Sequence, residues 1–91
     1  MDKDLRQIAE YYGLRVQMRQ LIEEMAELTQ VICKAERYDL DTVRDHLVEE
    51  VADVEVVLEQ VDYLLGDNRI AQIKAEKIAR QKGRMDAGGK M

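Results

Sequence analysis

Two acidic pairs, Glu24/Glu27 and Glu50/Asp53, lie on two long amphipathic segments separated only by Tyr38-Asp39-Leu40-Asp41. This arrangement restricts the chain to a helical hairpin with carboxylates along it. In the first segment Leu14, Met18, Leu21, Met25, Leu28, Ile32 and Ala35 recur at alternating steps of four and three, which is one stripe of an α-helix. The second segment repeats the pattern with Leu47, Val51, Val54, Leu58, Val61 and Leu65. Glu24, Glu27, Glu50 and Asp53 each precede a stripe residue, so both pairs occupy the same shoulder of their helices. A link of about four residues makes the two helices antiparallel. Glu24 and Asp53, like Glu27 and Glu50, are placed symmetrically about one point in that link. The register therefore sets Glu24 across from Asp53 and Glu27 across from Glu50, roughly 17 Å from the turn at ~1.5 Å per residue. Four carboxylates converging beside an apolar seam repel one another and resist desolvation, and a divalent cation resolves the conflict. Ligands that are all oxygen suit Mg²⁺ better than zinc, with Mn²⁺ as the alternative.

The motifs read Glu23-Glu24-Met25-Ala26-Glu27-Leu28 and Glu49-Glu50-Val51-Ala52-Asp53-Val54. These E-x-x-E and E-x-x-D pairs on consecutive helices resemble the MazG-like, all-α nucleoside triphosphate pyrophosphatase (nucleotide pyrophosphohydrolase) superfamily. The likeness extends from Tyr12-Gly13 to Lys77-Ile78-Ala79-Arg80. It implies an all-α, four-helix bundle built on a long antiparallel hairpin and completed by homo-oligomerisation, with a tetramer favoured over a dimer. It also implies Mg²⁺-dependent hydrolysis of a nucleoside or deoxynucleoside triphosphate at the α–β phosphoanhydride bond, giving the monophosphate and pyrophosphate, in the service of nucleotide-pool cleansing. Glu24, Glu27, Glu50 and Asp53 would be both the metal ligands and the catalytic residues. Lys77 and Arg80 match a terminal segment that contacts the triphosphate in the family. One departure is Ala75, where many relatives place an asparagine two residues before the lysine.

Other readings stand beside this one. Lys77, Arg80 and Arg84 fall within roughly a 60° arc of one helix and serve equally well to complement a helix dipole. A non-catalytic metal-binding or partner-binding bundle would retain the acids without turnover. A di-iron carboxylate protein expects E-x-x-H motifs, and neither pair is followed by histidine at that spacing. The single histidine, His46, lies one turn before Glu50 and reads as a surface or supporting residue, because catalytic metal sites built on histidine need more than one. Glu23 and Glu49 read as surface residues, and Gln17 and Gln20 share the acidic shoulder, open to a base edge or to solvent.

At 91 residues the chain is one domain, residues 1–91. So short a chain buries only about 60–65% of its unfolded surface, which leaves a thin core. A second apolar row on the third helix, Val48, Ala52, Val56 and Tyr63, then calls for cover by another subunit. The absence of proline, phenylalanine and tryptophan agrees with a helical bundle rather than a sheet. A net charge of −5 argues against a general nucleic-acid binder, whose affinity rests on basic residues. The lone Cys33, beside Val31 and Ile32, reads as a small core residue in a reducing cytoplasm. No apolar run approaches the ~20 residues of a membrane span, and Met1-Asp2-Lys3-Asp4 lacks the apolar stretch of a signal peptide, so a cytoplasmic protein without membrane contact is expected.

In chain order, the spacing predicts helices from Lys3 to Tyr12, onward to about Arg37, from a cap at Asp41 or Thr42 to about Leu65, and from a cap at Asp67 or Asn68 to about Lys82. Gly13 and Gly66 separate them, and residues 83–91 are expected to be a mobile tail.

Overall fold

The structure, a computed structural model, describes residues 1–89. It consists of four helices, α1 (Lys3–Tyr12), α2 (Leu14–Arg37), α3 (Leu40–Leu65) and α4 (Arg69–Asp86), with no strand among the described residues. Asp2 caps α1 by accepting from the Leu5 amide at 3.0 Å. Gly13 ends α1 and opens α2 with φ 83° and ψ 167°, a backbone region closed to side chains other than glycine's. A Cβ there would meet nothing within 4 Å, so the cost of substitution is conformational alone. Gly13→Ala is expected to lower stability by about 1–3 kcal/mol, measured as a shift of the urea midpoint at unchanged slope.

The hairpin link is shorter than expected. Only Tyr38 and Asp39 lie outside helix, and α3 begins at Leu40 because Asp39, not Asp41 or Thr42, is the cap. The Asp39 carboxylate accepts from the Asp41 amide at 3.4 Å, and its carbonyl accepts from the Thr42 amide at 3.0 Å. The antiparallel register agrees with expectation. Gln17 donates through Nε2 to Gln60 Oε1 at 2.6 Å, and these two residues are symmetric about the same point in the link as Glu27 and Glu50.

The seam between α2 and α3 is rotated from the expected stripe. It runs through Leu14, Gln17, Leu21, Glu24, Leu28, Val31 and Ala35 on α2, and through Leu47, Glu50, Val54, Val57, Val61 and Leu64 on α3. Met18, Met25, Ile32, Val51, Leu58 and Leu65, assigned to the interior from periodicity, are 39–50% exposed. The acids therefore do not sit on a shoulder of the seam: Glu24 and Glu50 are in it. Buried apolar residues are few among the described residues, namely Ala9, Val31, Val57 and Val61. Polar pairing does part of the work of the seam, since the Gln17–Gln60 bridge is buried and Gln60 Nε2 also donates to the Val56 carbonyl at 3.2 Å. Cys33 is exposed rather than a core residue.

Helix α1 lies across the other end of the hairpin. Ala9 is fully buried there, Tyr63 donates its hydroxyl to Glu10, and the Arg6 guanidinium sits 5.6 Å from the centre of the Tyr63 ring, a cation–π contact. Tyr63 thus packs against α1, while its expected row-mates Val48 and Val56 stay exposed.

Helix α4 does not join the bundle. The three packed helices are α1, α2 and α3, and α4 packs against them marginally at most. None of its residues is buried, and Ile73, Ile78 and Met85 are about half exposed or more. Gly66, in the left-handed region at φ 60°, stops α3 as expected. Asp67 then starts α4 by accepting from the Arg69 amide at 3.0 Å and from the Arg69 guanidinium, which holds the Asp67 carboxyl below its ordinary range. The helix continues through Gly83 to Asp86, beyond the expected end at Lys82, with a Lys82–Asp86 pair at 2.6 Å across its last turn. Gly88 and Gly89 fold back to the Met85 and Arg84 carbonyls and close it. The tail expected from residue 83 is therefore helical at its start, and residues 90–91 lie outside the described residues. No helix among the described residues is long and apolar enough to cross a membrane.

Candidate metal centre

Glu24 and Glu27 on α2 meet Glu50 on α3 with one carboxylate oxygen of each within 4.8 Å of the others. Asp53 stands outside this trio, half-buried one turn further along α3, although its charge still acts on Glu27. Of the four expected acids the structure thus brings three together and leaves the fourth at the rim. Glu50 is the most deeply placed, at 7% exposure.

Each of the two seam carboxylates has one oxygen held and one left over. Gln20 donates through Nε2 to Glu24 Oε1 at 2.8 Å, and His46 Nε2 lies 3.2 Å from Glu50 Oε1. Oε2 of Glu24 and Oε2 of Glu50 are buried without any hydrogen-bond partner. Leaving a buried polar atom unpaired costs on the order of 1–3 kcal/mol, more when it is charged, so two such oxygens beside a third carboxylate concentrate unfavourable negative charge in the seam. No lysine or arginine forms an ion pair with these acids among the described residues. The donor set fits a hard divalent cation: three carboxylates, no sulfur, and a single histidine engaged with a carboxylate oxygen. Gln20 and His46 have the place of outer-shell partners, which fix ligand orientation. His46 therefore supports Glu50, and Gln20 is engaged with Glu24 instead of being free for a base edge. Gln17 is likewise committed, to Gln60.

Like charge registers at Glu27. Its carboxyl is raised above its ordinary value first by Glu24, then by Glu50, by desolvation, by contact with the Glu50 side chain, and last by Asp53. A carboxyl whose folded value exceeds its unfolded value contributes stability at low pH, where the cluster holds a proton, and loses it as pH rises through the folded value. Glu27 therefore contributes a falling melting temperature as pH is raised from acid to neutral in the metal-free protein, against the opposite contribution of Asp67, whose carboxyl Arg69 holds low. Glu27→Gln should remove most of that slope, melting above the parent at neutral pH and level with it in acid, as read by circular dichroism in the presence of a chelator.

Lys77 and Arg80 are on α4, where they line a shallow recess with Gln81 and Arg84. With α4 only marginally packed, neither Lys77 nor Arg80 forms an ion pair with the acids among the described residues. No family model matches the chain, and no curated protein or solved structure matches it either. The supporting place of His46, one turn before Glu50, was expected from the sequence, whereas the Gln20–Glu24 bond was not, although the same four-residue spacing along one helix signals it.

Proposed function

We propose that the chain is a Mg²⁺-dependent nucleoside triphosphate pyrophosphohydrolase of the MazG-like kind, working as a homo-oligomer. The observation that supports it most is the pair of buried, unpartnered oxygens, Glu24 Oε2 and Glu50 Oε2, in a trio that Glu27 completes. Glu24, Glu27 and Glu50 would hold the cation, with Asp53 at the rim, and Mn²⁺ would suit the same oxygens. When bound, the ion supplies positive charge to phosphate oxygens and lowers the pKa of water. Phosphoryl chemistry asks little covalent work of a protein and much positioning. Gln20 and His46 do that positioning by fixing one oxygen each of Glu24 and Glu50. Glu27, the exposed member of the trio, or Glu24 beside it would accept the proton of the attacking water. The water oxygen bonds to the α-phosphorus, the α–β bridging bond breaks, and pyrophosphate leaves with its electron pair. Lys77 and Arg80 would then meet the phosphate chain.

A second reading, a metal-binding bundle without turnover, draws on one observation: those two cations form no ion pair with the acids among the described residues. The deciding experiment offers a panel of ribo- and deoxynucleoside triphosphates with Mg²⁺ or Mn²⁺ and detects monophosphate and pyrophosphate. Metal-dependent release of both products supports the enzyme. Metal binding with no product from any triphosphate selects the second reading.

A further inference from the structure

The most deeply placed polar side chains of this hairpin are neutral. Gln60 and Gln17 are 2% and 6% exposed, as buried as the core valines Val57 and Val61, and Gln17 Nε2 donates to Gln60 Oε1 at 2.6 Å. Gln60 Nε2 is spent on the Val56 carbonyl, so both ends of that amide are engaged. Among the described residues this is the one hydrogen bond between neutral side chains that joins α2 to α3. Stability alone does not account for it. Replacing both partners of a buried hydrogen bond by apolar groups of the same shape is close to neutral or stabilising, and ordering each glutamine costs rotamer freedom. What an amide pair supplies and two leucines do not is direction, since the bond tolerates little change in distance or angle. A single buried polar residue fixes the register of coiled-coil helices in the same way.

Direction matters here because α2 and α3 each carry two rows able to face inward. Leu14, Leu21, Leu28 and Ala35 on α2 and Leu47, Val54 and Val61 on α3 are common to both packings. The flanking rows differ: Gln17, Glu24 and Val31 lie in the seam with Glu50, Val57 and Leu64, while Met18, Met25, Ile32, Val51, Leu58 and Leu65 stay 39–50% exposed. At ~100° per residue, a turn of each helix by about 50° exchanges these rows. The exchanged packing would bury apolar side chains and return Glu24 Oε2 and Glu50 Oε2 to water. Without a cation, hydrophobic burial and carboxylate repulsion both favour that turn. The bridge opposes it: turning one helix strands the other amide in the seam, and turning both loses the bond. Its place suits the task. Gln17 lies two turns from Glu24, about 10 Å along α2, on the side away from the Tyr38–Asp39 link, so link and bridge restrain the hairpin on either side of the repelling acids.

We propose that the Gln17–Gln60 bridge positions the carboxylates: it fixes the packing in which Glu24 and Glu50 face inward and so keeps the cation site formed before a cation arrives. Gln17 and Gln60 are positioning residues, acting through the packing of α2 on α3. The affinity part of the claim rests on the metal-binding reading of the trio; the packing part does not.

The test uses three full-length variants, Gln17→Leu, Gln60→Leu and the double Gln17→Leu/Gln60→Leu. With a chelator, each single variant should have a lower urea midpoint than the parent, because one amide is left unpaired, and the double variant should return to the parent midpoint or above. Affinity for Mn²⁺, read by titration calorimetry, should part from stability and stay about tenfold weaker in the double variant, as when the competent packing falls to roughly one-tenth of molecules. Parent affinity in the double variant would make the bridge a packing element only and overturn the proposal. Val31 and Val57, 2% and 7% exposed, report the packing without metal. Relaxation of their methyl groups by a soluble paramagnetic agent should be at least about threefold faster in the double variant than in the parent. Unchanged protection of both valines would overturn the proposal. If the parent binds no Mn²⁺, the metal reading fails separately and the valine measurement decides the role of the bridge.

Discussion

Replacing Glu50 by glutamine is expected to abolish pyrophosphate release while making the metal-free protein more stable. Glu50 is the most buried of the acids, and its Oε2 has no partner. An amide of the same shape cannot supply the negative oxygen that a hard cation requires. Loss of several kcal/mol of charge stabilisation corresponds to a rate reduction on the order of 10³-fold. The same change removes a buried charge from the seam, and relief of that burden is worth roughly 1–3 kcal/mol. For a domain of this size each kcal/mol moves the melting temperature by ~4–8 °C, so calorimetry with a chelator should show a clear rise. Opposite signs in activity and stability distinguish a functional carboxylate from a structural one. A Glu50→Gln protein that melts below the parent would show that the carboxylate is instead paired and stabilising.

The second large effect is the response to metal. A ligand that binds only the folded protein stabilises it in proportion to the logarithm of its saturation, ~2.7 kcal/mol at a hundredfold excess over Kd. Titration of Mg²⁺ or Mn²⁺ should therefore raise the melting temperature by about 10–20 °C at a hundredfold excess over Kd, and NaCl at equal ionic strength provides the control for screening. His46→Ala should shift the midpoint of that titration to 10–100-fold higher metal, about the usual penalty for losing an outer-shell partner. His46 is largely exposed, so the substitution should leave the metal-free melting temperature nearly unchanged. Failure of any divalent ion to move the transition would remove the metal from the account altogether.

Helix number, helix class and the antiparallel register were legible in the sequence because they follow from the short link and from residues equally spaced about it. The face each helix buries was not. Two apolar rows lie one residue apart on α2 and α3, and periodicity chooses the row without polar interruptions, the one through Met18, Met25 and Ile32. The fold instead buries the neighbouring row, through Gln17, Glu24 and Val31 and through Glu50, Val57 and Gln60, because amide pairing satisfies Gln17 and Gln60 there. The acids were found as a group but misplaced by the same rotation, and Asp53 falls outside the trio as a result. The separation of α4 was not legible either. Its isoleucines suggest a packed helix, and nothing in their spacing says whose surface they pack on.

The two-residue link Tyr38–Asp39 bears on how quickly the centre comes into being. The partners that meet at the carboxylate trio are joined through a tight local reversal, and helical architectures whose pairings are local in sequence fold on microsecond to millisecond timescales. Glu24, Glu27 and Glu50 are thus assembled by a unimolecular event that needs neither cation nor neighbour to begin, and the repulsion among them is met only after the chain has closed. If folding closes the hairpin before a cation binds, the cation would act mainly by slowing unfolding, a dependence that unfolding rates measured with and without Mg²⁺ would reveal.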